Sequence, residues 1–479
     1  MWWVPHPKLW QKEYTRNIME PIITDWTKKT VMDCMADDTA AKWWEENMLT
    51  GPDESEYGWF EDAQAFHKTN IIGTWNALVR VKVSGPDAAE VLQGLITNSF
   101  ANFKVGCVKH ALLCNENGKI VVNGIFIHDE PDTYIFTGGP HALWVKYQVE
   151  KAAAAGKNVT SELINECSWS ISGPTALYAC EEACGESLRD LAFMHSKFVT
   201  VDGIRCRIIR QSMTAEIGYE FQAPMEYDEQ LGRAITTAGK KYGGVQYGGK
   251  GGLTQESESS FQQVMTDMLP AVCSQSPEDI EFRQYMEQFA PGMFEFMMKR
   301  KGSYEFNDPS ALYKSPIEMG EGFMVKFDHD FIGRAALEAE HANPKRVARK
   351  LVWNSEDVID IYASMFQRER QPYPQLDMPH FPVSYMYADK VINREGNVVG
   401  WTSRNMYSPW YREYFCEACI DVEYAELGTE LTVVYGDPHG PQKYVRATVA
   451  PMRYKEDHRR DDVTAMPASI EPLRYEDWK

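Results

Sequence analysis

Long apolar runs are missing from this 479-residue chain. No stretch of about 18 apolar residues occurs, so no membrane-spanning helix is expected. The start, Met1-Trp2-Trp3-Val4-Pro5, has neither the basic nor the apolar region of a secretory signal. Positive charge is scarce too. Lys plus Arg number 49 against 69 Asp plus Glu, a formal charge of −20. Phosphate backbones need a basic surface, so a nucleic-acid partner is not expected. Cys416-Glu-Ala-Cys419 stands without the second pair a zinc ribbon requires, and the 11 His form no HxxxH or HExxH. No structural metal is therefore expected. The 10 Cys are scattered along the chain and read as reduced thiols, not as a disulfide framework. With 44% apolar and 12% aromatic residues, the chain can fill sizeable cores. Its length predicts about three domains. A cytoplasmic, multidomain enzyme is the expectation, and nothing in the sequence indicates its oligomeric state.

The pattern along the chain repeats. Residues 39–48 have helical spacing, and Gly51-Pro52-Asp53-Glu54 breaks it. Residues 77–84 alternate with a period of two, a strand. Gly85-Pro86-Asp87 then turns the chain into a helix from 88, with Asp87 as its N-cap. Strands at 108–114, 120–128 and 133–136 follow, the first two joined by a turn at Asn115-Glu116-Asn117-Gly118, and then a helix over 142–155. A second round has a strand at 168–172, a Gly173-Pro174 turn, a helix over 175–183, three strands and a helix over 227–242. This predicts an internally duplicated α+β unit. From 346 to 455 strands dominate and read as a separate antiparallel β domain.

Five segments could carry chemistry. In Arg210-Gln-Ser-Met-Thr-Ala-Glu-Ile-Gly218-Tyr219-Glu220-Phe221, Glu220 falls inside an apolar strand. A buried carboxylate needs donors. It forms a salt bridge, with Arg210 as the candidate partner, or a fork accepting two N–H bonds from a heterocycle. Gly243-Gly-Val-Gln-Tyr247-Gly-Gly-Lys250-Gly-Gly252 matches neither a P-loop nor GxGxxG. It is a flexible loop or backbone packed on a flat ligand, and Tyr247 and Lys250 are its side chains able to release a proton. The segment 322–334 reads as a charged loop entering a helix, and 400–409 as a polar turn between strands. Asn98 caps or binds, and His110 is a satisfied core histidine or a catalyst.

In this order the segments resemble the folate-binding aminomethyltransferase family, typified by the T-protein of the glycine cleavage system. Gly218-Tyr219-Glu220, Phe327–Arg334, the Thr402, Ser403, Ser408 and Pro409 turn, the 85–88 turn and the Asn98 segment carry the likeness, which spans roughly 60–455. Within the family, 325–333 and 361–366 are most similar to the tetrahydrofolate-dependent aryl-O-demethylases. The implied fold is a cloverleaf of two related ferredoxin-like α+β lobes and a C-terminal antiparallel β-barrel around a central folate channel. The expected divisions are a helical extension at 1–60, a first lobe at 61–160, a second at 161–340 with a helical insertion at 265–315, and the barrel and tail at 341–479. The implied cosubstrate is tetrahydrofolate, held by Glu220, Tyr219, Asn98, Ser170 and Phe261.

Departures from the family bear on the donor. Its Phe-Asp-x-(Ser/Thr)-His segment aligns near Ile72-Gly73-Thr74-Trp75-Asn76-Ala77, without the Asp or the His. The arginine that follows the strand ending at Phe136-Thr137-Gly138-Gly139 is absent, and a proton-donating tyrosine is replaced at Gly251-Gly252. Arg404 stands where the family has glycine. The resemblance therefore implies a methoxylated or methylenedioxy aromatic donor without a carboxylate, contacted by Trp75, Asn76 and Gly138. The acid is Tyr247, Lys250 or His110. A sulfonium or N-methyl donor, or folate binding without catalysis, are the other readings.

Overall fold

Val79, Val81 and Val83 are buried on one face of a strand, and on the other Lys82 and Ser84 are half-buried while Arg80 is buried, so the alternation holds but the second face is partly covered as well. The structure, a computed structural model, describes residues 23–36, 55–378 and 386–478. The helix expected at 39–48 and its breaker lie outside these residues. In chain order come β1 (Ile71–Thr74), β2 (Val79–Ser84), β3 (Val108–Cys114), β4 (Ile120–Glu130), β5 (Thr133–Gly138) and β6 (Thr160–Leu163). β7 (Glu166–Ser172), β8 (Ser196–Val201), β9 (Ile204–Arg210), β10 (Gly218–Pro224) and β11 (Val245–Gln246) follow. One sheet runs β3-β4-β5-β2-β6 and the other β11-β1-β7-β10-β9-β8.

The two sheets are related. Each has a strand, a Gly-Pro turn and a helix (Ala88–Gln93 or Ala176–Cys184), then three strands and a longer helix (Leu143–Ala154 or Asp228–Lys241). Gly85 and Gly173 share a φ near +134° and +138°. A Cβ on Gly85 would lie 2.4 Å from the Asn158 carbonyl, and one on Gly173 2.3 Å from that of Thr69. Only glycine fits either turn. β6 beside β2 matches β1 beside β7. Thus β1, which precedes every strand of the first sheet in the chain and falls inside the expected first lobe, completes the sheet of the second. Asp87 precedes its helix, but its carboxylate accepts from the Asn158 amide at 2.7 Å and makes no cap.

Six strands at Arg346–Trp353, Lys390–Ile392, Val398–Ser408, Glu413–Asp421, Glu430–Tyr435 and Lys443–Ala450 close a barrel. The segment read as a polar turn at 400–409 is strand, with a bulge between Thr402 and Asn405. Its polarity misled because its partners are buried charges, as shown below. Cys416 packs inside the barrel and Cys419 in the first lobe's core. Three residues apart on a strand, they face opposite ways and form no dithiol pair.

The glycine-rich segment is not a loop throughout. It contains β11 and opens the helix Gly249–Ser259. A Cβ on Gly251 would meet that of Asp62 at 2.5 Å, and the Gly248 amide donates to Asp62 Oδ2 at 2.9 Å. These glycines let two helices approach closely instead of facing a ligand.

Two helices, Pro277–Glu287 and Met293–Met297, lie in the expected insertion. The segment 23–36 clasps them. Trp26, fully buried, donates to Glu287 at 3.0 Å, Thr24 Oγ1 to Glu295 at 2.7 Å, and Lys29 pairs with Glu295 at 2.6 Å.

Candidate functional site

Register places the functional side chains in two rows. Across the first sheet His110 pairs with Ile125, Ile125 with Thr137, and Thr137 with Arg80. Directly opposite residues share a face. Across the second sheet Gly73 pairs with Ser170, Ser170 with Glu220, and Glu220 with Ile209. A cavity of about 670 Å³ lies between these sheets and the barrel. His110, Ile125, Thr137 and Glu220 border it, as do Ala348 and Arg349 from the barrel.

Glu220 is 5% exposed, and Gln211 Nε2 donates to its Oε1. Burial pushes its carboxyl up to about 7 from an ordinary 4.5, against the pull of the nearby Arg80 guanidinium. Arg210, the partner first considered, is opposite Tyr219 on the other face. Its guanidinium donates to the carbonyls of Leu191 and Asp461. Gln211 lies within the same segment, and the register of β9 against β10, which no local pattern shows, turns Arg210 away from Glu220.

Of the other expected residues, Asn98, Phe261, Trp75 and Gly138 border the cavity with His110. The Asn98 Oδ1 is buried without a partner, and Phe261 lies 5.9 Å from His110. His110 Nδ1 is 3.8 Å from Glu321.

The remaining expected residues are not in the cavity wall. Tyr219 points into the second lobe's core, one residue out of phase with Glu220. Asn76 uses its amide on Asp228 (3.0 Å) and the Ser168 backbone (2.7 Å). Ser170 sits between Gly73 and Glu220 and donates to the Gly73 carbonyl at 3.4 Å. Tyr247 is buried with Ala65, Phe66, Ile71 and Val245, and burial raises its phenol far above the ordinary range. Lys250 is on the first turn of the helix Gly249–Ser259.

The 322–334 segment fastens the Asn98 loop. His329 bonds the Ile96 carbonyl at 2.9 Å, and the Lys326 amide donates to Thr97. Arg404, fully buried, pairs with Asp267 and with Glu256 at 3.4 Å, and Ser408 Oγ donates to Glu258 at 2.6 Å. This charged seam joins the barrel to the helix Gly249–Ser259 and the insertion.

The cavity suits a reduced folate. A buried carboxyl with a single amide donor can accept N–H groups from a pterin, and Phe261 and Met194 offer apolar contact. Arg453, Arg459 and Arg460 border the same cavity and match the carboxylates of a glutamyl tail. Two ferredoxin-like lobes and a barrel enclosing such a carboxyl define the class of folate-dependent one-carbon transferases.

Comparison with known proteins agrees. The GCVT N-terminal domain matches residues 31–274. Sesamin methylene transferase of Sinomonas sp. is 32% identical over 400 residues, 80% of this chain and 86% of that one. Syringate O-demethylase of Sphingobium sp. is 27% identical over 439 residues, 85% and 92% of the two chains. The glycine cleavage system aminomethyltransferase T of Bartonella henselae shares the fold, with a TM-score of 0.61 at 15% identity over 84% of this chain and 91% of that one. The chain belongs to the glycine-cleavage aminomethyltransferase (GCVT) family. It is an enzyme of folate-dependent one-carbon transfer, with tetrahydrofolate as its cosubstrate. Among the described residues no helix is long and apolar enough to cross a membrane.

Proposed function

We propose that the enzyme is an O-demethylase that moves a one-carbon unit from a neutral aryl methyl ether or methylenedioxy arene to tetrahydrofolate. One observation carries the donor class. The cavity wall from 75–78, 122–125, 137–141, 264–266 and 296 contains Trp75, Leu78, Val122, Pro140 and Phe296 and no Lys or Arg, while Lys109, Arg349, Arg453, Arg459 and Arg460 border the cavity elsewhere. An aromatic ring fits that surface, and a carboxylate there would lack a counter-ion. The names of the sesamin- and syringate-acting relatives support an aromatic donor.

Tetrahydrofolate supplies the nucleophilic N5 that accepts the carbon. The chain's part is to align donor and acceptor and to stabilise the oxygen that departs. Glu220 grips the pterin. Phe261 and Asn98 flank it, and His110, the one of the three expected acids in the cavity wall, serves proton transfer there. The expected divisions at 61–160, 161–340 and 341–479 then need two amendments, since β1 belongs with the second lobe's sheet and β6 with the first.

The test is a turnover panel of guaiacols, methylenedioxybenzenes and methoxybenzoates with tetrahydrofolate, followed by mass spectrometry of the folate product. Neutral donors should give methyl- or methylene-tetrahydrofolate. A strict demand for a benzoate carboxylate would refute the neutral-donor reading.

A further inference from the structure

Thr137, Gly138, Gly139, Pro140 and His141 all border the cavity as β5 turns toward the helix Leu143–Ala154. A Cβ on Gly139 would meet nothing within 4 Å, so the segment opens on free space. His141 is 1% exposed and Thr137 3%, yet His141 Nε2 and Thr137 Oγ1 are both buried without a partner. Buried polar groups are nearly always hydrogen-bonded. Two orphans four residues apart, one at the end of β5 and one just beyond it, border an open apolar space and leave polar groups for a ligand oxygen to meet.

We propose that His141 is a catalytic residue at the donor end: its imidazole N–H hydrogen-bonds the donor's ether oxygen and holds it as the phenolate departs. This rests on the O-demethylase reading. Burial alone drives the His141 imidazole down to about 3, so it stays neutral at working pH. It acts as a fixed dipole at the developing oxyanion. The carbon–oxygen bond breaks with its electron pair going to the aryl oxygen, and the carbon bonds to the acceptor nitrogen. The proton that nitrogen releases balances the one the oxygen takes up, and His141 ends as it began.

The ring is held from behind. Phe294 meets it edge-on at 6.3 Å, and Trp26 meets Phe294 edge-on at 5.3 Å. Glu287 fixes Trp26 at 3.0 Å. Phe294 and Trp26 are therefore positioning residues, and the 23–36 clasp reaches the chemistry through them.

The experiment measures kcat for wild type, His141→Phe, His141→Gln and Phe294→Leu over neutral methoxyarenes of graded phenol acidity, with tetrahydrofolate affinity by calorimetry. In His141→Phe, kcat should fall roughly 10²–10³-fold for guaiacol-like donors and far less for nitro-substituted ones. His141→Gln, which keeps an N–H, should recover part of the loss. Phe294→Leu should show the same leaving-group trend in milder form, and folate affinity should not change. An equal loss for every donor, or no loss, would overturn the role of His141. Wild type that binds folate but turns over no donor in the series would instead remove the O-demethylase reading.

Discussion

Glu220 is buried, and the pterin-gripping role proposed for it needs its charge. A charge-assisted pair of this kind is worth about 1.5–3 kcal/mol, so Glu220→Ala should weaken tetrahydrofolate binding by roughly one to two decades in calorimetry. Gripping pterin N–H groups requires the ionised form, and burial holds the free carboxyl at about 7. Folate affinity should therefore rise as pH goes from 6 to 8, by at most about tenfold per unit, and should be flat in Glu220→Gln. Stability moves the other way. The folded value lies above the ordinary 4.5, so this group's contribution is full below pH 4.5 and lost as pH rises through 7. Ligand-free Glu220→Gln should exceed wild type by up to about 3 kcal/mol at pH 8, narrowing to about 1 kcal/mol at pH 5, in urea unfolding.

At the scale of elements, the seam between barrel and lobes depends on Arg404. Its guanidinium neutralises the fully buried Asp267 and touches, at 3.4 Å, Glu256, whose carboxyl burial pushes up to about 8. Removing one partner of a buried pair strands the other charge, here Asp267, and costs about 3–5 kcal/mol. Arg404→Ala should lower urea stability by that amount. β1 offers a second test. A Cβ on Gly73 would lie 2.2 Å from the Tyr247 ring, so Gly73→Ala must displace the ring or the strand. Overpacking of this kind costs about 1–3 kcal/mol, and the Tyr247 fluorescence environment should change with it. Periodicity found most strands of both lobes within a residue or two because their faces alternate. It found the start of the 398–408 strand but not its continuation, where buried Thr402, Ser403, Arg404 and Asn405 look like surface. Nor could it assign β1 to the second sheet, since pairing across some hundred residues leaves no local trace.

Over the whole molecule, a net charge of −20 opposes an anionic ligand, and the arginines bordering the cavity offset it locally. Arg459 and Arg460 lie over Phe193, at 5.9 and 5.4 Å, beside the cavity. Arg460→Ala should slow folate association and reduce its salt dependence in stopped-flow, because exposed charge acts mainly on encounter. His141 belongs to this scale as well. No motif singles out one histidine after Gly-Gly-Pro, and only the packing of β5, the insertion and the 23–36 clasp leaves it unpartnered beside an open cavity.

Local patterning alone determined the duplicated α+β lobes, the β-rich end and the unusual place of Glu220, because periodicity, Gly-Pro turns and a carboxylate inside an apolar strand are properties of neighbouring residues. Tertiary structure decided which strand completes which sheet, that Gln211 and not Arg210 meets Glu220, and that Tyr219, Tyr247 and Asn76 stand outside the cavity wall. These are matters of register and of contact between distant segments, where one residue's shift along a strand turns a side chain from the ligand to the core.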